Sequence, residues 1–316
     1  MSIALIFPGQ GSQAVGMGAD LAKAYPAARA VFDEVDEALG QDLSRLMWEG
    51  PEDKLTLTEN AQPALMAVSL AAIKVLSTKG VKLKDCVAYV AGHSLGEYSA
   101  LAAAGALSLA DTARLLKTRG RAMQEAVPVG QGAMAALLGA DLDKAQELAK
   151  AAAQGQVCEA ANDNAPGQVV ISGAKEAIER AIALAPKFGA RRAVLLPVSA
   201  PFHSSLMGPA AARLREALAG IAFRPPRIPV IHNVDAKSRV DAAAIKDALI
   251  GQADHPVLWV ECVRELAARS ATHVVECGPG KVLAPLCKRI VAGLEGLALA
   301  DRTALDQGLA AVGGRK

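Results

Sequence analysis

Apolar and polar positions follow two rhythms along the chain. Short apolar runs bounded by Gly, Pro, Asn or Asp occupy residues 3–7, 87–91, 134–138, 157–161, 169–172, 193–198, 229–232 and 272–276, and these predict strands. Between most of them, apolar residues recur at three- and four-residue spacing, which predicts helices over 28–39, 61–79, 108–125, 142–153, 175–187, 208–220, 242–252 and 259–268. Strands that alternate with helices predict an α/β fold with a mostly parallel central sheet. From 128 to 199 the order is strand, helix, strand, strand, helix, strand, with "NDNAPGQ" at 162–168 as the turn between the middle strands. That βαββαβ order is ferredoxin-like. The expected organisation is a large, discontinuous domain of residues 1–127 and 200–316 with a small domain of residues 128–199 inserted.

Composition narrows the classes. Hydrophobic residues make up 52% of the 316 and aromatics only 3%, so the core is packed by Ala, Leu and Val. A net charge of +2 lacks the concentrated basic stripe of a nucleic-acid binder. "MSIALIFPG" has no basic leader and reads as a first strand, and the apolar stretch around 100–110 is too short to span a bilayer. The expectation is a soluble cytoplasmic protein with no membrane partner. The five cysteines are odd in number and form no C-x-x-C pair, so they read as reduced, buried apolar residues, with Cys86, Cys158 and Cys277 inside strand-like runs. No metal site is expected.

The chemistry centres on "GHSLG" at 92–96, a G-x-S-x-G match between a strand-like and a helix-like run. In a nucleophile elbow the serine, here Ser94, sits on a sharp strand-to-helix turn near free backbone N–H groups that can hold an oxyanion. The plainer reading makes Ser94 the N-cap of the following helix. A serine hydroxyl needs a base. The histidines are His93, His203, His232, His255 and His273, and His203 in the domain-junction loop "SAPFHSSLM" is the leading candidate among them. "GQGSQA" at 9–14 imitates a dinucleotide fingerprint, but the region about 20 residues on is helical rather than a strand ending in an acid, so it reads as a Gly-rich loop at the binding edge of the sheet.

Six blocks then occur in order: "FPGQGSQ" at 7–13, "GHSLGEYSAL" at 92–101, "TRGRAMQ" at 118–124, "ANDNAPGQVVISG" at 161–173, "PFHS" at 201–204 and "ECGPGKVL" at 276–283. Together, over nearly the whole chain, they resemble the bacterial malonyl-CoA:acyl-carrier-protein transacylase family. The resemblance implies an α/β-hydrolase-like large domain and a ping-pong transfer of malonyl from coenzyme A through Ser94 to the phosphopantetheine thiol of an acidic acyl carrier protein, supplying fatty acid synthesis, with no cofactor and a monomeric enzyme. It implies His203 as base, the backbone N–H groups of Gln10 and Leu95 as oxyanion hole, and the backbone carbonyl of Gln252 as partner of the imidazole. A malonyl carboxylate in a dry site needs a pairing cation, for which a guanidinium fork is suited. Spacing does not choose among Arg114, Arg119 and Arg121; the family's R-x-x-x-M-Q block selects Arg119 and places Met123 beside it. Asn162 and Phe202 are further expected substrate contacts, Phe202 by crowding an α-methyl group. Arg191, Arg192, Lys288 and Arg289 are expected docking residues for the carrier. The competing readings are an esterase or thioesterase, which expects a triad acid such as Asp163, a non-catalytic carrier-docking subunit, and the transacylase subunit of a malonate decarboxylase.

Overall fold

In this computed structural model, which describes residues 2–313, ten strands form two sheets. The first contains β1 (Ile3–Phe7), β2 (Val87–Gly92), β7 (Val230–Ile231), β8 (Ser238–Arg239), β9 (His273–Cys277) and β10 (Glu295–Leu299) in the order β10-β9-β1-β2-β7-β8. All neighbours are parallel except β7 and β8. Every residue of β1 is buried, as a central parallel strand covered on both faces requires. One covering helix, Thr58–Thr78, is apolar and long enough to cross a membrane, but 83% of its apolar window is packed inside the protein.

The second sheet contains β3 (Gly132–Leu138), β4 (Cys158–Ala165), β5 (Gln168–Ala174) and β6 (Arg192–Leu195), all antiparallel, in the order β4-β5-β3-β6. Helices Leu142–Ala153 and Lys175–Leu184 connect β3 to β4 and β5 to β6, each crossing over one strand, and close a core of its own around Leu137, Leu148, Val169, Ile171 and Ile178. This is the βαββαβ order expected from the hydrophobic pattern. Its uncovered side carries Met134, Ala161 and Val170, which pack with Met123 and Phe202 of the other lobe.

Some local expectations are corrected. "NDNAPGQ" is not all turn: β4 runs through Asn162, Asp163 and Asn164, and Pro166-Gly167 makes the bend. Tertiary hydrogen bonds extend the strand, Asp163 N–H donating to Val257 O at 3.0 Å and Val257 N–H to Ala161 O at 2.9 Å. The register of β4 slips on either side of Asn162 and Asp163, as bulges allow. Cys86 lies half-buried in the one-turn helix Leu83–Cys86 rather than inside a strand. The helix expected over 175–187 ends at Leu184 and tightens into a 3₁₀ turn carrying Pro186, whose missing N–H cannot continue the ladder.

Candidate active site

The site begins where β1 and β2 end side by side. Phe7 pairs with Gly92, so the Gly-rich loop after β1 and the turn after β2 leave the sheet together. The turn is tight enough to exclude side chains. A Cβ on Gly92 would lie 1.9 Å from the Gly96 carbonyl, and one on Gly96 would lie 2.2 Å from Phe7 O. Between them Ser94 holds φ 52°, a left-handed value that L-residues avoid. Asn233 clamps the strained turn: its Oδ1 accepts from Ser94 N–H at 2.8 Å and its Nδ2 donates to Gly92 O at 2.7 Å. The helix that follows, Gly96–Ala103, has Leu95 at its N-cap and no side-chain cap, so Ser94 is not a capping residue.

The Ser94 hydroxyl instead meets His203, with Oγ 2.8 Å from Nε2. The other ring nitrogen, Nδ1, lies 2.8 Å from Gln252 O. A carbonyl can only accept, so Nδ1 carries the proton and Nε2 is free to take one from serine. Among the described residues no acidic side chain completes a triad; Asp163, the acid a hydrolase reading would need, sits elsewhere on β4, where burial, with help from Glu261, raises its pKa to about 6. Burial, reinforced by the positive charge of Arg119, lowers the His203 pKa to about 3. The imidazole is therefore neutral at pH 7, as a base must be.

Arg119 projects from helix Leu109–Glu125 and is 1% exposed. Gly120 beside it allows the close approach, since a Cβ there would meet the backbone of Glu59 at 2.5 Å. The guanidinium donates to Gln62 Oε1 at 2.7 Å, to Gln252 Oε1 at 2.9 Å and to Ser94 Oγ at 3.1 Å, and lies over the Tyr98 ring. Its Nε has no partner, and among the described residues no carboxylate bonds it. Burial lowers its pKa, a sign that the charge is poorly compensated. Arg114 and Arg121 are exposed and pair with Asp111 and Glu59.

These groups open onto a cavity of about 460 Å³ lined by Gln10, Leu95, Met123, Asn162 and Phe202 together with Ser94, Arg119 and His203. The N–H groups of Gln10 and Leu95, both residues of the cavity wall, donate to nothing among the described residues. Gln252 lies beneath the wall, fully buried. His93 turns away from Ser94 and bonds Asn164 Oδ1 at 2.8 Å. His255 follows helix Ala242–Asp254 and His273 begins β9, and neither lines the cavity. Arg191, Arg192, Lys288 and Arg289 are exposed and lie outside the cavity wall, and Arg289 is held to the β4–β5 hairpin through Gln168 and Pro166.

Sequence reasoning missed the support under the site. Glu97, fully buried, accepts from His232 Nδ1 at 2.7 Å, Asn233 N–H at 2.9 Å and Gln252 Nε2 at 2.8 Å. Gln252 Nε2 also donates to Ser94 O at 3.0 Å. Gln62 is fixed by Thr58, which in turn bonds the Gln10 side chain. The available signal was a lone acid in the apolar run "LGEYSALAAAG" and a lone amide in the apolar helix after 61.

Residues 4–298 match the acyl transferase domain family. The chain is 49% identical to the malonyl CoA-acyl carrier protein transacylase of Escherichia coli K12, over 97% of this chain and 98% of that protein. This chain belongs to the malonyl CoA-acyl carrier protein transacylase family. The family's solved structures superpose closely. An acyl-carrier-protein S-malonyltransferase from Bartonella henselae matches with a TM-score of 0.96 at 48% identity, covering 99% of this chain and all of that one. A malonyl-transacylase in complex with a type II PKS acyl-carrier protein matches with a TM-score of 0.95 at 45% identity, over the full length of both.

Proposed function

We propose that this chain moves a malonyl group from malonyl-CoA to the phosphopantetheine thiol of an acyl carrier protein through an ester on Ser94. The observation that carries the reading is a buried, unpaired guanidinium within 3.1 Å of a serine oxygen that is itself 2.8 Å from a neutral imidazole. His203 Nε2 takes the Ser94 proton as Oγ attacks the thioester carbon. The Gln10 and Leu95 N–H groups hold the carbonyl oxygen, Arg119 holds the free carboxylate, and the proton returns to the leaving thiolate. The carrier thiol then repeats the sequence in reverse. Arg119 turns away uncharged acyl ends because they would leave its charge buried and unpaired. Met123, Asn162 and Phe202 shape the rest of the acyl pocket. The reaction needs no cofactor, and the enzyme acts in the cytoplasm as a monomer. Arg191 and Arg192, exposed and free of the hairpin contacts that hold Arg289, are the better basic pair for an acidic carrier.

Intact-mass measurement after mixing with malonyl-CoA tests this. One malonyl adduct on the wild type and none on Ser94→Ala are expected. Hydrolysis of malonyl-CoA with no stable adduct and no transfer to holo carrier protein would refute the transferase reading.

A further inference from the structure

Ser94 Oγ stands between two groups. It lies 2.8 Å from His203 Nε2, to which its proton is given, and it accepts from Arg119 Nη2 at 3.1 Å. The guanidinium has no carboxylate partner among the described residues, so in the resting site the serine lone pair partly satisfies a buried cation. When Oγ bonds to the thioester carbon it becomes an ester oxygen and a much poorer acceptor, so the Arg119 contact is lost. At the same moment the proton reaches His203 and places a second positive charge beside Arg119. Both consequences oppose acylation for as long as Arg119 is unneutralised.

We infer that Arg119 acts as a resting lock on Ser94, and that the substrate's own carboxylate releases it by drawing the guanidinium fork off Oγ and cancelling its charge. The inference rests on the proposed malonyl transfer and deepens it: selectivity for a carboxylated acyl unit then lies in the rate of acylation as well as in binding. Atoms balance as in the ordinary step. The Ser94 O–H proton passes to His203, the Oγ–C bond forms, the C–S bond breaks and the proton leaves on the CoA thiol. The carboxylate is not consumed. The charged or titratable groups around the dyad are Arg119, Tyr98 and Glu97 beneath and His93 to the side; Glu97 attracts Arg119 through space, but its oxygens are bonded by His232, Asn233 and Gln252, so no carboxylate hydrogen-bonds the guanidinium.

The test splits malonyl into its two parts. Wild-type protein is mixed with saturating acetyl-CoA, and acetyl-Ser94 is followed by quenched-flow intact mass with rising sodium formate, using sodium chloride at equal ionic strength as control. Formate should accelerate acetylation saturably, by about tenfold or more, the effect of relieving roughly one pKa unit of opposing charge. Arg119→Ala should lose the formate response, read as the ratio of its own acetylation rates with and without formate. Malonyl-CoA loading of the wild type is run alongside. If malonyl loads but formate leaves acetylation unchanged or slows it, the lock is wrong and the proposed function stands. If malonyl itself fails to load Ser94, the proposed function has failed.

Discussion

Asn233 offers a sharp test of how the elbow is held. Its amide spans the strained turn, taking the Ser94 N–H at 2.8 Å and giving to the Gly92 carbonyl at 2.7 Å, with no solvent exposure. Asn233→Ala leaves the part-buried Ser94 N–H and the buried Gly92 carbonyl without these partners. Each costs about 1–3 kcal/mol, so a loss of about 2–6 kcal/mol is expected, a large share of the roughly 5–15 kcal/mol that holds a domain folded. The left-handed Ser94 backbone would then be free to relax and carry Oγ away from His203. A displacement of about 1 Å costs on the order of 10²-fold in rate. Asn233 touches one of Arg119's two glutamine partners, Gln252, only through a long 3.3 Å bond, and Gln252 keeps Ser94 O and Glu97 as closer acceptors, so KM for malonyl-CoA should stay within about threefold while kcat falls about 10²-fold. Asn233→Asp should be no better, since it aims a carboxylate oxygen at the Gly92 carbonyl. Guanidinium denaturation and quenched-flow malonyl loading read both quantities. Wild-type stability, or a loss in KM with kcat intact, would refute the clamp.

Other outcomes follow from the same geometry. Phe202 lines the acyl cavity with Met123, so Phe202→Ala should raise the methylmalonyl-to-malonyl ratio of kcat/KM by about tenfold or more, measured with the two CoA thioesters in parallel. Gly96→Ala drives a Cβ to 2.2 Å from Phe7 O and should yield no folded protein, whereas Gly80→Ala, with open space at its Cβ but φ 87°, should fold with a modest loss; circular dichroism separates the two. Burial, with help from Glu261, raises Asp163 to about 6, so the folded state holds its proton more tightly than the unfolded chain and the ionised group weakens folding above that pH. Asp163→Asn should therefore raise Tm at pH 8, and the gain should vanish below about pH 4, where the carboxyl is protonated in both states. His203 has the opposite sign. Its pKa is depressed to about 3, so stability is full above about 6.5 and falls as pH drops toward 3, and His203→Gln should flatten that part of the acid denaturation profile.

The chain's own residues made much of this legible. Gly92 and Gly96 flanking Ser94 encode the elbow because the steric demand is local: the atoms a Cβ would strike belong to the same turn and to the strand beside it. The strand and helix rhythms likewise carried both sheets, because periodicity records which face of each element is covered. The failures were local features set by distant partners. "NDN" reads as a turn by composition, yet the Val257 backbone recruits it into β4. The short strands β8 and β10 lack a strong apolar rhythm of their own and exist because β7 and β9 present edges to them.

Local patterning alone therefore encodes most of the elements, the elbow and the family blocks that point to acyl transfer. Which histidine and which arginine share the serine, and what holds them, comes only from the folded arrangement. His203 stands 109 residues from Ser94, and Gln252 stands 158 residues from it. Which residues meet over such separations depends on strand order and helix packing, and no neighbour-to-neighbour preference records that. The buried carboxylate of Glu97, joining His232, Asn233 and Gln252 beneath the nucleophile, belongs wholly to that second category, because its ligands converge only after β2, β7 and helix Ala242–Asp254 have packed together.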